Sequence, residues 1–425
     1  MKGTSLISYS FQSFYLAGAF LLFFILLPSF YNLSLGMALS SIGLVILISR
    51  ITDIFTDFFI GYLTEKRGIE NKNKKNQFII GVILFLLSIT GLFIIQSTSI
   101  IFFMFFYNLG LLGFTIAIIP YDSIVLDQKN FLRTRFKLAA FKEGFGILGV
   151  IFALLIPTSI SYIFNISFLD HQVIRMTGLF FISSAIIGLF IFHFFFIEEK
   201  NFLTSKITFK IILQNIQNNK KIISLANITF FNLLANNFTA NLFIIFVSTY
   251  LNLSKYVGVL LTLYFITTFL SIPIWYIFGK KYSNLFLLQT GLMISLFGFM
   301  LIAIVGDGDL FLYIFIILIT GVGVGVDLII PQAELADILD DNKNDNRLSQ
   351  IFTTLFSIIK KLAIGLASGI ALTGYGLLTE NNINIFSFVP NIFIFYFLIP
   401  LILKFIVLVL VFRYRNRLNG HSKTH

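Results

Sequence analysis

The sequence predicts an all-α membrane protein with twelve transmembrane helices in two pseudo-repeated six-helix halves. Composition is the first observation: 57 % of the residues are hydrophobic and 12 % are charged, whereas soluble domains contain about 25 % charged residues. Second, windows of about 20 apolar residues, the length a helix needs to cross a hydrocarbon core, recur along the whole chain. Third, one long polar interval divides these windows six and six.

The predicted spans follow one another with short polar loops between them. They lie near residues 11–31, 36–63, 78–96, 100–120, 138–163, 176–197, 222–250, 256–279, 285–304, 310–330, 349–376 and 388–412. Residues 1–197 are therefore predicted to form an N-terminal six-helix bundle. Residues 198–221 are expected to form a cytoplasmic linker, and residues 222–425 a C-terminal bundle with a cytoplasmic tail.

An internal repeat supports two equivalent halves. The segment that starts at Pro120 resembles the one that starts at Pro331, and the two prolines are 211 positions apart. The same offset moves the start of the first span, near residue 11, onto the start of the seventh, near residue 222. Parallel repeats of this kind are typical of transporters whose substrate site lies between the halves near the membrane midplane.

The distribution of basic residues predicts the topology. The net charge is +11, and Lys and Arg concentrate in the loops after even-numbered spans, as at Lys66, Arg67, Lys280 and Lys281. The positive-inside rule places these loops and both termini in the cytoplasm. Because topology accounts for the charge, we expect no nucleic-acid partner. The absence of cysteine excludes disulfides and thiolate metal sites.

A charged stripe interrupts the second predicted span. At about 100° per residue, Arg50, Asp53, Asp57 and Gly61 share one helix face. Each ionisable group at membrane depth costs at least about 2.5 kcal/mol, so such groups usually line a protein interior or a water-filled cavity. With all three side chains ionised the stripe carries one negative charge, which a monovalent cation would neutralise.

The run Arg50–Gly61 resembles the helix 2 motif of the glycoside–pentoside–hexuronide:cation symporters of the major facilitator superfamily. Further segments of this chain resemble the same family in both halves and in the same order: Pro120-Tyr121, Thr134–Glu143, Glu334–Asp340 and Phe356–Leu362. The resemblance implies the major facilitator fold and cation-coupled solute transport.

Roles for individual residues also follow from the resemblance. It implies that Asp53 and Asp57 bind the coupling Na⁺ or H⁺ and that the hydroxyl of Thr115 assists. Oxygen ligands independently suit a hard monovalent cation. In the alternative interpretation, Arg50 and Asp53 form a structural pair and Asp57 packs at a helix interface. No other metal and no cofactor are expected.

Three further charged residues are candidates for the same network. Lys142 and Lys361 match basic positions of the family and could hold the acids in register or bind an anionic substrate. Lys360 and Lys361 point about 100° apart, so one of them is expected to face the cavity, and we favour Lys361. Asp327 follows a glycine repeat that we assign to helix packing. It could contact substrate, contact the cation or pair with Lys361.

The substrate is less well specified. The acids with which the melibiose-type members bind sugar are absent, because the first span has none and the matching position of the fourth span is Ile118. A galactoside clamp is therefore not expected. The remaining polar candidates for substrate binding are Gln12, Tyr15, Asn108, Asn232 and Asn236. The two helix 7 asparagines share one face, where they could bind hydroxyl groups or link neighbouring helices.

Together these features predict a secondary active transporter that carries a cation and a small solute, a sugar or a related organic compound, by alternating access. The alternatives are a lipid or lysolipid transporter of the same fold and an uncoupled carrier. A membrane-embedded enzyme is disfavoured, because the four histidines form no pair with metal-ligand spacing. We expect a monomer in the cell membrane whose partners are the solute, the cation and the bilayer.

Overall fold

The structure of the chain is a computed structural model that describes residues 3–66, 71–126, 132–195, 220–341, 346–387 and 389–421. Within these residues, twelve helices are long and apolar enough to cross a membrane. The predicted fold class and the predicted number of spans are confirmed. Some side chains at helix ends, including that of Asp57, lie outside the described part of the structure.

The chain divides into two compact units, Met1–Lys206 and Ile207–His425. Most of the predicted linker, residues 198–219, lies outside the described residues. The membrane helices of the first unit are α1 (Gly3–Leu21, Leu22–Leu26 and Leu27–Leu33), α2 (Leu39–Lys66), α3 (Asn71–Ile89 and Thr90–Ile95), α4 (Ile100–Leu126), α5 (Leu132–Phe164) and α6 (His171–Phe195).

The second unit repeats this organisation. Its membrane helices are α7 (Lys220–Ile245 and Phe246–Tyr250), α8 (Val257–Gly279), α9 (Asn284–Leu301), α10 (Leu310–Asp341), α11 (Asn346–Glu380) and α12 (Asn391–Phe393, Ile394–Leu398 and Ile399–His421). Short 3₁₀ turns, Ser254–Tyr256 and Ile302–Ile304, precede α8 and follow α9.

Glycines let helices approach closely in both units. A Cβ atom on Gly149 of α5 would collide with the backbone carbonyl of Phe14 in α1. In α10, Cβ atoms on Gly323 and Gly325 would collide with the hydroxyls of Ser295 in α9 and Ser271 in α8. Small residues at such crossings let helix backbones pack in a bilayer, where no hydrophobic force drives helices together. The α10 glycines therefore serve packing, as predicted.

A π-helical turn interrupts α1 at Leu22–Leu26. Pro28 follows this turn and has no N–H to donate to the carbonyl of Phe24 four residues earlier. The Leu27 N–H instead bonds to the Leu22 carbonyl, five residues back. This wider turn lies in the part of α1 that presents Phe23 and Phe24 to the interior of the unit, where both side chains are buried.

The second unit has an apolar cluster beside α10. Trp275, Leu292, Val326, Val411 and Tyr414 are buried together there. The Trp275 indole donates a hydrogen bond to the Val322 carbonyl at 2.9 Å. Since the chain contains one tryptophan, its fluorescence reports on the middle of α10.

The close approach of α5 to α1 leads to a testable difference between two glycines of α5. Gly149→Ala should destabilise the protein by about 1–3 kcal/mol, because the added methyl group has no room against the α1 backbone. A Cβ on Gly144 meets no atom within 4 Å, so Gly144→Ala should leave stability unchanged or raise it by up to about 1 kcal/mol. Thermal unfolding in detergent at one heating rate measures both; equal unfolding temperatures would contradict this account of the crossing.

Candidate functional site

Arg50 and Asp53 lie on one face of α2, where both residues are buried. The Arg50 Nη1 atom is 3.6 Å from Asp53 Oδ2. Their spacing of three residues places both side chains on the same side of the helix. The separation exceeds the usual length of an N–H···O hydrogen bond, so the two charges attract each other without a tight contact.

Thr115 of α4 completes this contact from the neighbouring helix. Its Oγ1 donates a hydrogen bond to Asp53 Oδ1 at 3.0 Å, and both residues are buried. The structure therefore brings together Asp53 and Thr115, the carboxylate and the hydroxyl that the sequence resemblance assigned to the cation site. Carboxylate and hydroxyl oxygens are ligands suited to a hard cation.

The guanidinium of Arg50 packs on aromatic rings of α1. Its Cζ lies 4.2 Å from the centroid of the Phe24 ring and 5.5 Å from that of Phe20. Its Nε and Nη2 atoms are buried without a hydrogen-bond partner. A cation on an aromatic face in a desolvated site gains about 2 kcal/mol. The π turn of α1 thus contributes to the charged site, because it includes Phe24.

Asp57 stands four residues after Asp53 on the same described helix, α2. Residues four apart are neighbours on a helix surface. The side chain of Asp57 lies outside the described residues, so its participation in the cation site stays a prediction.

A second charged cluster lies inside the C-terminal unit, where α7, α10 and α12 meet. Lys404 Nζ is 3.0 Å from Asp327 Oδ2 and donates a hydrogen bond to Asn232 Oδ1 at 2.7 Å. Asn236 Nδ2 donates to the same Asp327 Oδ2 at 3.0 Å. The Lys404 side chain is 0 % exposed and that of Asp327 is 3 % exposed. Of the partners considered for Asp327, the pairing with Lys361 is replaced by one with Lys404.

Lys404 was not anticipated from the sequence. It is a lone lysine in the last apolar span, and the insertion cost that singled out Arg50 applies to it equally. That signal could have found the residue. Its partner could not have been found this way, because Asp327 lies 77 positions earlier on another helix.

Two predicted substrate residues are used in packing within the N-terminal unit. Gln12 Nε2 donates to the carbonyls of Ser8 at 2.8 Å and Gly188 at 2.9 Å. The Tyr15 hydroxyl donates to Gln12 Oε1 at 2.7 Å. Both residues are almost fully buried between α1 and α6. Because their polar atoms are already bonded, Gln12 and Tyr15 are not part of the solute site that we propose.

The other predicted residues lie elsewhere. Asn108 on α4 is half-buried and accepts a hydrogen bond from Thr52 of α2 at 3.3 Å. Lys142 on α5 pairs with Asp122 near the end of α4, with 2.7 Å between Nζ and Oδ1. Lys361 is half-buried on α11.

Comparison with known proteins identifies relatives. The family model described as MFS/sugar transport protein matches residues 5–416. Comparison with curated protein sequences finds no significant match. The fold is similar to that of the nucleoside transporter NupG, with a TM-score of 0.65, 15 % sequence identity and coverage of 98 % of this chain and 99 % of that one.

A second similar structure is a bacterial homologue of the human lysosomal transporter Spinster in an inward-facing, unoccupied conformation. Its TM-score is 0.65 at 13 % identity, with coverage of 97 % of this chain and 96 % of that one. At such identities the structural likeness shows a shared fold alone.

The buried pair of the C-terminal unit generates a stability prediction. Lys404→Met should destabilise the protein by about 3–5 kcal/mol, because it leaves the Asp327 carboxylate buried without its counter-charge. The double variant Asp327→Leu/Lys404→Met should recover most of this loss, since it removes both charges.

Thermal unfolding of the two variants in detergent is the measurement, with Lys255→Met at an exposed position as the control. If the single and the double variants unfold at the same temperature, the pair is not a compensated charge pair.

Proposed function

The chain belongs to the MFS/sugar transport protein family, and on that premise we propose that it is a secondary active transporter that couples a monovalent cation to the movement of a small solute. The observation that carries the proposal is the buried contact between Asp53 and Thr115. It offers oxygen ligands from two helices, and Asp57 would add a second carboxylate from the next turn of α2.

The coupling ion is proposed to be Na⁺ or H⁺. The buried Asp53 carboxylate lies 3.6 Å from the Arg50 guanidinium and accepts a hydrogen bond from Thr115, and its negative charge attracts a cation. The face of the Arg50 guanidinium packs on the Phe24 ring. Arg50 therefore neutralises one of the negative charges of the stripe but does not occupy the position of the ion. The site would thus bind one monovalent ion without a net charge remaining in the membrane interior.

Alternating access supplies the mechanism. In transporters of this kind the two repeats rock against each other around a central binding site. A ligand shifts such an equilibrium only through its different affinity for the two states. Coupling requires that the transition be favourable when cation and solute are both bound or both absent, and costly when the cation alone is bound.

The solute is proposed to be a sugar or a related organic compound such as a nucleoside. The absence of the acids of the galactoside clamp argues against a melibiose-type substrate. The similar fold of NupG belongs to a nucleoside transporter, which adds nucleosides to the candidates. We further propose that the protein acts in the cell membrane with both termini in the cytoplasm.

Sodium should stabilise the folded protein. A ligand that binds only the folded state adds RT ln(1 + [L]/Kd), about 2.7 kcal/mol at one hundred times Kd. Asp53→Asn, Asp57→Asn and Thr115→Val should each reduce this stabilisation, because the first two each remove a negative charge and the third removes a hydroxyl ligand. Thr177→Val is the matched control, since Thr177 is equally buried but its hydroxyl bonds to the carbonyl of Val173 in its own helix.

Thermal unfolding against NaCl or KCl at two pH values makes the measurement. Stabilisation that is absent in sodium but appears at low pH would identify a proton-coupled carrier. If neither ion nor pH has an effect that depends on Asp53, cation binding at this site is refuted.

Transport itself should depend on the cation gradient. Purified protein in liposomes should accumulate at least one labelled hexose, hexuronate or ribonucleoside under an inward gradient of the stabilising ion. Asp53→Asn should lose this accumulation. Equal uptake with and without the gradient would favour an uncoupled carrier, and uptake restricted to a labelled lysophospholipid would favour the lipid-transport alternative.

A further inference from the structure

The buried cluster of the C-terminal unit has an unused acceptor. Asp327 Oδ2 takes hydrogen bonds from Lys404 and Asn236, whereas Asp327 Oδ1 is buried without a hydrogen-bond partner. Buried polar atoms are nearly always paired, and leaving one unpaired costs about 1–3 kcal/mol, more when the group is charged. Asp327 Oδ1 would therefore be stabilised by a hydrogen bond from a bound donor.

The charge balance of the cluster restricts what that donor can be. Lys404 and Asp327 sum to zero, and their side chains are almost inaccessible to solvent. A bound cation would lie close to the Lys404 ammonium and would be repelled by its like charge. An anion would have to displace Asp327 from that ammonium and leave the carboxylate buried and unpaired, which is strongly unfavourable.

We infer that the Asp327–Lys404 cluster is a binding subsite for hydroxyl groups of an uncharged, polyhydroxylated solute. One hydroxyl would donate to Asp327 Oδ1 in a charge-assisted hydrogen bond, which is stronger than a neutral one. The amide of Asn236, half-buried at the edge of the cluster, would bind a neighbouring hydroxyl. Lys404 bonds to the carboxylate and is itself held by Asn232; both residues are buried and do not need to touch the solute.

This inference rests on the proposed function, because it assigns part of the solute site of the same transporter. It also divides the roles between the units. The predicted charged stripe of the N-terminal unit is not balanced when Arg50, Asp53 and Asp57 are all ionised, so it suits a cation. The C-terminal cluster is balanced, so it suits a neutral solute.

Two adjacent asparagines of α7 offer a matched test. Asn236 donates to Asp327, whereas Asn237 is also half-buried but donates to the carbonyl of Leu233 in its own helix. Asn236→Ala should raise the Kd of an uncharged hydroxylated solute at least tenfold, and Asn237→Ala should change it less than twofold. Asp327→Leu/Lys404→Met, which removes the charges while keeping the core apolar, should abolish binding.

Binding can be followed through Trp275, whose indole is bonded to the carbonyl of Val322, five residues before Asp327 on α10. The probes are glucose, galactose, xylose and uridine, each at increasing concentration. Glucuronate, galacturonate and glucosamine are the charged counterparts, and 2′,3′-dideoxyuridine is the nucleoside that lacks the 2′- and 3′-hydroxyls. Affinity for uncharged members, lost in the deoxy compound and in Asn236→Ala, would support the subsite.

Preference for a charged counterpart, binding by none of the uncharged probes, or equal affinity in Asn236→Ala and Asn237→Ala would overturn it. The sodium measurements on Asp53 variants give an independent readout. Sodium-dependent stabilisation with unchanged solute affinity in Asn236→Ala would refute the subsite and leave the transporter proposal intact. Solute binding that depends on Asn236 but on no ion would support the subsite and refute coupling to a cation.

Discussion

The burial of ionisable side chains in an apolar interior is the constraint on which this structure depends. Each such group is costly at membrane depth unless another group compensates its charge. In the N-terminal unit, α1 packs two phenylalanine rings against Arg50 of α2, and α4 gives Asp53 a hydroxyl partner. The C-terminal unit meets this requirement through α7, α10 and α12, which surround a lysine–aspartate pair with two amides.

The two units thus solve one problem with different chemistry. In the first, the arginine and the aspartate are 3.6 Å apart and the guanidinium retains two unbonded nitrogens. In the second, lysine and aspartate form a contact of 3.0 Å and the carboxylate retains one unbonded oxygen. A carboxylate in a stripe of net negative charge suits a cation, whereas a cluster whose charges sum to zero suits hydroxyl groups. This difference is the physical basis of the functional division that we propose.

Backbone packing makes both clusters possible. The π turn in α1 includes Phe24, on which the Arg50 guanidinium rests. The glycines of α10 allow α8 and α9 to approach that helix, and Trp275 fixes α8 to α10 through the Val322 carbonyl. Asp327 lies on this same helix, α10, two residues after the last of these glycines. Rigid neighbours matter for a buried charge, because a small displacement would separate it from its partner.

The sequence by itself determined the twelve spans and the charged face of α2. Both are local properties, since hydropathy depends on consecutive residues and Arg50 and Asp53 are one helical turn apart. Resemblance added Thr115, which the structure places against Asp53. Tertiary structure alone decided that Lys404 pairs with Asp327. It also decided that the polar atoms of Gln12 and Tyr15 form hydrogen bonds within the packed contact between α1 and α6. Periodicity says which residues share a helix face, but which helix that face meets depends on the packing of the whole unit, and contacts between residues far apart in sequence leave no local pattern.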